Sequence, residues 1–138
     1  MTFKPLYEFV LPALNNAGTQ NYDRERWQFE TDAAEVAGGY TYLGLHVGGW
    51  KAGDKVQREP VHVYHVAAFS QERDELVKRA FKRYPDQASL FVAEIGLADI
   101  IDAPAKGADW QPLPADPEAG RDGLGPEWDG LNAAKKVA

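Results

Sequence analysis

Apolar residues recur with two different periods along this chain, and each period predicts its own kind of element. Apolar residues three and four positions apart predict helices over residues 23–37 and 71–84. Runs rich in aromatic and β-branched residues predict strands over residues 6–14, 40–50, 59–69 and 88–97. The turn-forming segment 51–58, with its Gly-Asp bend, separates the second and third strands, which therefore form a hairpin at the centre of the chain.

The resulting element order, β-α-β-β-α-β, predicts an α+β fold of the ferredoxin-like kind. One antiparallel sheet carries two helices on one face, with the first and third strands in the middle and the fourth beside the first. The other sheet face has no helix to cover it, and we expect Val10, Leu90 and Val92 to lie there. Because an apolar face needs cover, we expect a second subunit or the C-terminal segment to supply it.

The helix ends carry their own signals. Asp23 and Ser70 are predicted to cap the first turns of the two helices, because their side-chain oxygens can accept hydrogen bonds from free backbone amides. Gly38 and Gly39 follow the first helix and are predicted to end it as a C-cap.

Composition changes after residue 102, which predicts a domain over residues 1–102 and a Pro- and Gly-rich arm over residues 103–138. The arm carries four large apolar residues, Trp110, Leu113, Trp128 and Leu131. One interpretation is that they anchor an extended arm on the domain or on a neighbouring subunit. The alternative is a disordered tail with incidental tryptophans.

Charge and composition narrow the classes of partner. The 138 residues carry a net charge of −6 with no basic run, which argues against nucleic-acid binding and is compatible with a cationic ligand. There is no cysteine, so disulfides, zinc–thiolate sites and cysteine nucleophiles are excluded. The apolar N-terminal stretch is interrupted by Pro5, Glu8 and Pro12 and is too short to span a bilayer, so we expect a cytoplasmic protein without a membrane partner.

The three histidines, His46, His62 and His65, all fall in the hairpin. His62 and His65 are three positions apart on one strand and therefore face opposite sides of the sheet. They cannot both bind one metal ion from that strand, so no metal site is predicted.

Two pairs of residues are candidates for a polar site. Glu8 and Glu94 are acids among apolar neighbours on strands predicted to be adjacent, so they either share a face or reach water near the strand ends. Trp50 and Glu59 flank the hairpin turn, where they can hold a cationic, aromatic ligand by stacking and charge. The alternative for Glu59 is a salt bridge with Arg58 or Lys51. No phosphate-binding loop or serine-nucleophile motif occurs, and no cofactor is implied.

The order of elements, with an aromatic residue ending one hairpin strand and a glutamate opening the next, resembles the phage-encoded S-adenosylmethionine (SAM) lyases. The resemblance implies a ferredoxin-like, PII-like trimer that cleaves SAM to methylthioadenosine and homoserine lactone between subunits, without metal. It implies catalytic roles for Glu59 and, as a second acid, Glu94. Trp50 stands where the family has a tyrosine and is a predicted ligand-binding residue, and Tyr42, Glu8 and His65 are predicted to bind the ligand with it.

Two other functions stay open. The first is a non-enzymatic PII-like or phage accessory protein that binds or sequesters a small molecule or a host protein. The second is a structural module without a ligand, in which the acidic residues merely lie at the surface.

Overall fold

The computed structural model describes residues 2–114, and its elements follow the predicted order. They are β1 (Thr2–Pro12), α1 (Asp23–Ala37), β2 (Thr41–Ala52), β3 (Lys55–Ala67), α2 (Ser70–Arg83) and β4 (Phe91–Ile100). The strands form one antiparallel sheet in the order β2-β3-β1-β4, with β1 and β3 in the middle. The predicted α+β, ferredoxin-like fold is therefore confirmed.

The chain divides into two units, Met1–Asp102 and Ala103–Ala138. In the described part of the second unit, residues 103–114 form no helix or strand, and the Lys106 ammonium lies 4.3 Å from the centre of the Trp110 ring. Trp128 and Leu131 lie outside the described residues, so an anchored arm stays a prediction, and so do the predicted domain bounds.

The hydrophobic core lies between the sheet and the helices. Tyr7, Phe9 and Leu11 alternate along β1 and point into it. Its other large buried side chains are Phe29, Tyr64, Val66, Leu76 and Tyr84. Each such side chain contributes about 1.5–3 kcal/mol of transfer free energy, so this face of the sheet is firmly attached to the helices.

The hairpin is longer than predicted. β2 and β3 continue up to a two-residue turn at Gly53 and Asp54, so most of the segment predicted as turn is strand. Gly53 has a φ of 63°, which glycine adopts without strain. β1 pairs with β3 only over Val61–Ala67, and the hairpin therefore extends beyond the body of the sheet as a two-stranded arm.

The predicted N-caps are wrong. Asp23 and Ser70 are the first residues of α1 and α2, one position too late to cap them. Tyr22 is the N-cap residue of α1, and its side chain makes no capping hydrogen bond. Before α2, the backbone N–H of Phe69 donates a hydrogen bond to the Glu72 carboxylate at 2.8 Å. The Gly38 prediction is confirmed, since Gly38 has a φ of 94° and donates its N–H to the Ala34 carbonyl.

The predicted faces of β4 are reversed. Val92 lies opposite Phe9 and packs against the core together with Leu90, rather than on the helix-free face. Phe91 and Ala93 lie opposite Val10 and Glu8 and occupy the helix-free face instead. Both sides of β4 are apolar, so alternation alone could not say which side meets the helices.

An ion-pair cluster that the sequence analysis missed joins the two helices. Asp32 of α1 is buried, and its carboxylate accepts hydrogen bonds from Arg79 at 3.2 Å and from Arg83 at 3.0 Å. A buried aspartate on the inner side of an amphipathic helix requires such partners. The spacing of the two arginines, one turn apart on α2, was the signal available in the sequence.

Candidate functional site

The helix-free side of the sheet, here called the open face, gathers most of the predicted site residues. Strand register places Glu8 and Val10 of β1 on this face beside His65 and Val63 of β3. In the pairing of β3 with β2, Glu59 lies opposite Gly48. Trp50 lies two residues after Gly48 on β2 and therefore faces the same side.

Trp50 and Glu59 line the same groove, here called the Trp50–Glu59 groove, which has a volume of about 530 Å³. Val10, Val61 and Phe91 supply apolar lining. At the groove's edge the Gln87 side-chain amide donates a hydrogen bond to the side-chain oxygen Oδ1 of Asn16 at 2.7 Å. The hairpin therefore brings the tryptophan and the glutamate together as the sequence analysis expected, while their role in binding stays a prediction.

Glu59 has no ion pair or hydrogen-bonded partner among the described residues. Burial raises the pKa of its carboxyl, because a partly dehydrated carboxylate is less stable than the neutral acid. The alternative salt bridge with Arg58 or Lys51 does not form, since both residues alternate to the other side of the hairpin. A carboxylate left without a cation in a groove is a candidate binding group.

A second groove, here called the Glu8–His65 groove, adjoins the first on the open face and has a volume of about 420 Å³. The Glu8 carboxylate and the His65 imidazole lie directly opposite each other on β1 and β3, and their nearest N and O atoms are 3.2 Å apart. His46 also lines this groove, and its imidazole contacts the Leu43 carbonyl at 3.2 Å.

Two predicted site residues lie elsewhere. Glu94 pairs with Tyr7, whose side chain faces the helices, so Glu94 does not share a face with Glu8 as expected. Tyr42 also lies on the helix side, where its hydroxyl contacts His62 Nδ1 at 2.7 Å and its ring lies under the Arg26 guanidinium. Neither residue reaches the Trp50–Glu59 groove.

A polar cluster on the helix side was also missed by the sequence analysis. The Glu30 carboxylate accepts hydrogen bonds from the hydroxyls of Tyr40 and Tyr64 and from Arg26. Burial raises the pKa of the Tyr64 hydroxyl, and the hydrogen bond to Glu30 raises that of Tyr40. These tyrosines therefore stay protonated and act as hydrogen-bond donors that attach the start of the hairpin to α1.

His62 lies at the edge of this cluster, on the opposite side of β3 from His65, as predicted from their spacing. Burial lowers the pKa of the His62 imidazole. Within residues 2–114 no three His, Asp or Glu side chains come close enough together to hold a metal ion. No helix in the same part of the chain is long and apolar enough to cross a membrane.

The fold and its open face define a ferredoxin-like α+β domain with a groove on the helix-free side of the sheet. No protein-family model and no curated protein sequence matches the chain. Solved structures do match in fold, and several of them are CutA1 proteins. The "Divalent cation tolerance protein (Cut A1)" of Thermus thermophilus is 8% identical with a TM-score of 0.53, over 75% of this chain and 88% of that chain.

Two further structures give a similar result. A mutant of CutA1 from Pyrococcus horikoshii is 11% identical with a TM-score of 0.52, over 73% of this chain and 88% of that chain. CutA1 from Oryza sativa is 12% identical with a TM-score of 0.50, over 75% of this chain and 84% of that chain. At such identities the likeness concerns the fold alone.

The resemblance to SAM lyases is wrong. The structural neighbours reported above are CutA1 proteins, and nothing in the comparisons points to a SAM lyase or to a phage origin. The catalytic roles of Glu59 and Glu94 rested on that resemblance.

Proposed function

We propose that this protein is a non-enzymatic binding protein that holds a small organic cation in the Trp50–Glu59 groove. The observation that carries the proposal is that an unpaired carboxylate and a tryptophan line one groove on the open face. A cation can place its charge near Glu59 and its apolar part against the Trp50 ring. Such a cation–π contact contributes about 0.5–2 kcal/mol.

The chemistry of the groove supports binding rather than catalysis. Glu59 is the acidic residue of its described lining, and Glu94, the acid once expected to assist it, lies on the other side of the sheet. General acid–base catalysis of the paired kind needs two titratable groups facing one substrate. An organic cation also fits better than a metal ion, which needs several ligands close together.

The structural neighbour from Thermus thermophilus is named a "divalent cation tolerance protein", a name that describes that protein. Among the described residues of the open face, the Glu8 carboxylate and the His65 imidazole lie 3.2 Å apart, close enough to share an ion. Two ligands do not complete the coordination of a transition metal. Divalent ions therefore serve as a competitor in the binding test rather than as the proposed ligand.

The test uses two probes of similar shape. 1-Methylnicotinamide is a cationic aromatic, and nicotinamide is its neutral counterpart. In isothermal titration calorimetry at pH 7.5, we expect the full-length protein to bind the cation at least about tenfold more tightly than the neutral probe. Glu59→Gln should remove this preference, and Trp50→Leu should weaken binding of the cation by about 3–30-fold.

Glu94→Gln is the matched control, because it removes the same charge from the other side of the sheet. It should leave the affinity for the cation unchanged, and so should an equimolar amount of Zn²⁺. Equal affinity of the original protein for the two probes would contradict the proposal. So would an equal loss of affinity for 1-methylnicotinamide in Glu59→Gln and Glu94→Gln.

We also propose that the protein is a homo-oligomer, with a trimer as the expected state. The edge strands β2 and β4 have free backbone groups along 12 and 10 residues. Exposed apolar side chains lie along both edges, including Val47 on β2 and Leu97 on β4. Long apolar edge strands invite pairing with another chain, and contacts between two different edges can close into a ring.

A further inference from the structure

The two grooves of the open face are neighbours that share part of their lining. Val10, Gly48 and Val61 line both the Trp50–Glu59 groove and the Glu8–His65 groove. A ligand that enters one groove can therefore continue into the other across an apolar floor. Glu59 lies at one end of this combined path, and Glu8 lies at the other.

The two carboxylates are far apart. Glu8 lies directly opposite His65 in the register of β1 and β3, and His65 follows Glu59 by six positions on β3. At a rise of about 3.3 Å per residue, these six positions span about 20 Å along the strand. A compact cation cannot reach both ends, whereas an extended chain with charges at its ends can.

No lysine or arginine occurs in the described lining of the two grooves, so neither carboxylate has a permanently charged partner there. His65 contacts only the Oε1 atom of the Glu8 carboxylate, and no hydrogen bond to Oε2 occurs among residues 2–114. That oxygen can accept a hydrogen bond from an ammonium group. The net charge of −6 adds long-range attraction for a polycation.

Gly48 lies directly opposite Glu59, and because it has no side chain it leaves space at the Glu59 end of the path. A Cβ atom at this position would lie 3.1 Å from Val61 Cγ1, closer than ordinary van der Waals contact. The absence of a side chain leaves room above Val61 at the point where the two grooves meet. An aliphatic chain can lie in this space, and its methylene groups match the valines below it.

Building on the proposed function, we propose that the ligand of this site is a linear aliphatic polyamine. One terminal ammonium binds Glu59 beside Trp50, the methylene chain crosses Val10 and Val61, and another ammonium binds Glu8. A polyamine fits better than a lysine-rich peptide. The backbone groups of β2 and β3 are paired with each other along the path, so a peptide backbone lying there would have no partners.

The test measures how affinity depends on ligand length. In calorimetry with the full-length protein at pH 8 and 0.15 M salt, we expect spermine to bind at least about tenfold more tightly than 1,4-diaminobutane, which cannot span both acids. Glu8→Gln should bring the affinity for spermine to within about twofold of that for 1,4-diaminobutane. The same variant should leave the affinity for 1-methylnicotinamide unchanged. Glu59→Gln should weaken binding of all three probes.

Gly48→Val provides a second variant that changes no charge. It should weaken the binding of both spermine and 1-methylnicotinamide, because the new side chain lies directly opposite Glu59 and above Val61. Glu94→Gln again removes one negative charge outside the grooves and should not change the affinity for spermine.

The outcomes separate this inference from the proposed function. If 1-methylnicotinamide binds as expected but spermine binds no more tightly than 1,4-diaminobutane, the polyamine inference is wrong and the proposed function stands. If no cation binds, both are wrong. Equal loss of spermine affinity in Glu8→Gln and Glu94→Gln would show non-specific attraction and overturn the inference. Tighter binding of octalysine than of spermine would overturn it in favour of a basic peptide.

Discussion

Glu59 is held where its own charge is unfavourable to folding. Burial raises the pKa of its carboxyl, and no cation in the described part of the chain compensates. Asp32 shows the contrasting arrangement, because both oxygens of its buried carboxylate accept hydrogen bonds from Arg79 and Arg83. A carboxylate that costs stability and has no structural partner is typical of a binding residue.

A first prediction follows for Glu59→Gln. A carboxyl whose pKa is raised on folding contributes stability below its unfolded pKa, and this contribution is lost as pH rises through the folded pKa. We therefore expect Glu59→Gln to be more stable than the original protein at pH 7, by less than about 1 kcal/mol because the carboxyl is partly hydrated. The gain should shrink towards pH 4.

Urea unfolding of both proteins at pH 4, 5.5 and 7 measures this difference in the free energy of unfolding. A difference that stays constant with pH, or that has the opposite sign at pH 7, would contradict the account of Glu59.

At the scale of elements, α1 and α2 pack side by side on the sheet, and Asp32 joins them through the two arginines of α2. Arg79 and Arg83 are partly exposed, whereas the Asp32 side chain is only 3% exposed. The buried aspartate therefore depends on the arginines for its hydrogen-bond partners, while the arginines can be hydrated without it.

A second prediction concerns this helix pair. Asp32→Ala should lower the free energy of unfolding by about 1–3 kcal/mol, because the charged hydrogen bonds between the helices are lost. Glu35→Ala is the control, because Glu35 is 65% exposed and contacts Arg79 at 3.4 Å. It should cost less than about 1 kcal/mol. Chemical denaturation of both variants measures the difference, and equal costs would show that burial of Asp32 adds nothing.

At the scale of the whole molecule, the hairpin and the two sheet edges leave apolar surface uncovered among the described residues. Leu45, Val47 and Val56 lie on the hairpin and are 60–74% exposed. On the other edge of the sheet, Leu97 is 65% exposed. Surface of this kind is more typical of a subunit than of a monomer.

A third prediction tests the assembly. Size-exclusion chromatography with light scattering should give about three times the chain mass of 15.3 kDa. Val47→Lys on β2 and Leu97→Lys on β4 should each reduce the particle to a monomer that keeps its circular dichroism spectrum. Trp27→Lys is the control, because Trp27 is an exposed residue of α1 and lies on neither edge strand, and it should leave the oligomer intact. A monomeric original protein, or dissociation in the control alone, would refute assembly through these edges.

The parts of the fold that depend on local periodicity were predictable. The α1 bounds agree with prediction at both ends, because its apolar spacing stops where Gly38 takes up a left-handed conformation. The site was only partly predictable. Trp50 and Glu59 are near each other in the hairpin, so their pairing needed no tertiary information, whereas the partner of Glu8 depended on how distant strands pair.

The amino-acid sequence by itself determined the type and order of the elements and the closeness of Trp50 to Glu59, because both depend on short-range spacing. Only the tertiary structure decided which side of β4 meets the helices, since both of its sides are apolar. That choice places Glu94 with the helices and leaves Glu8 opposite His65 on the open face. Long-range strand register sets these contacts, and a local pattern carries no information about it.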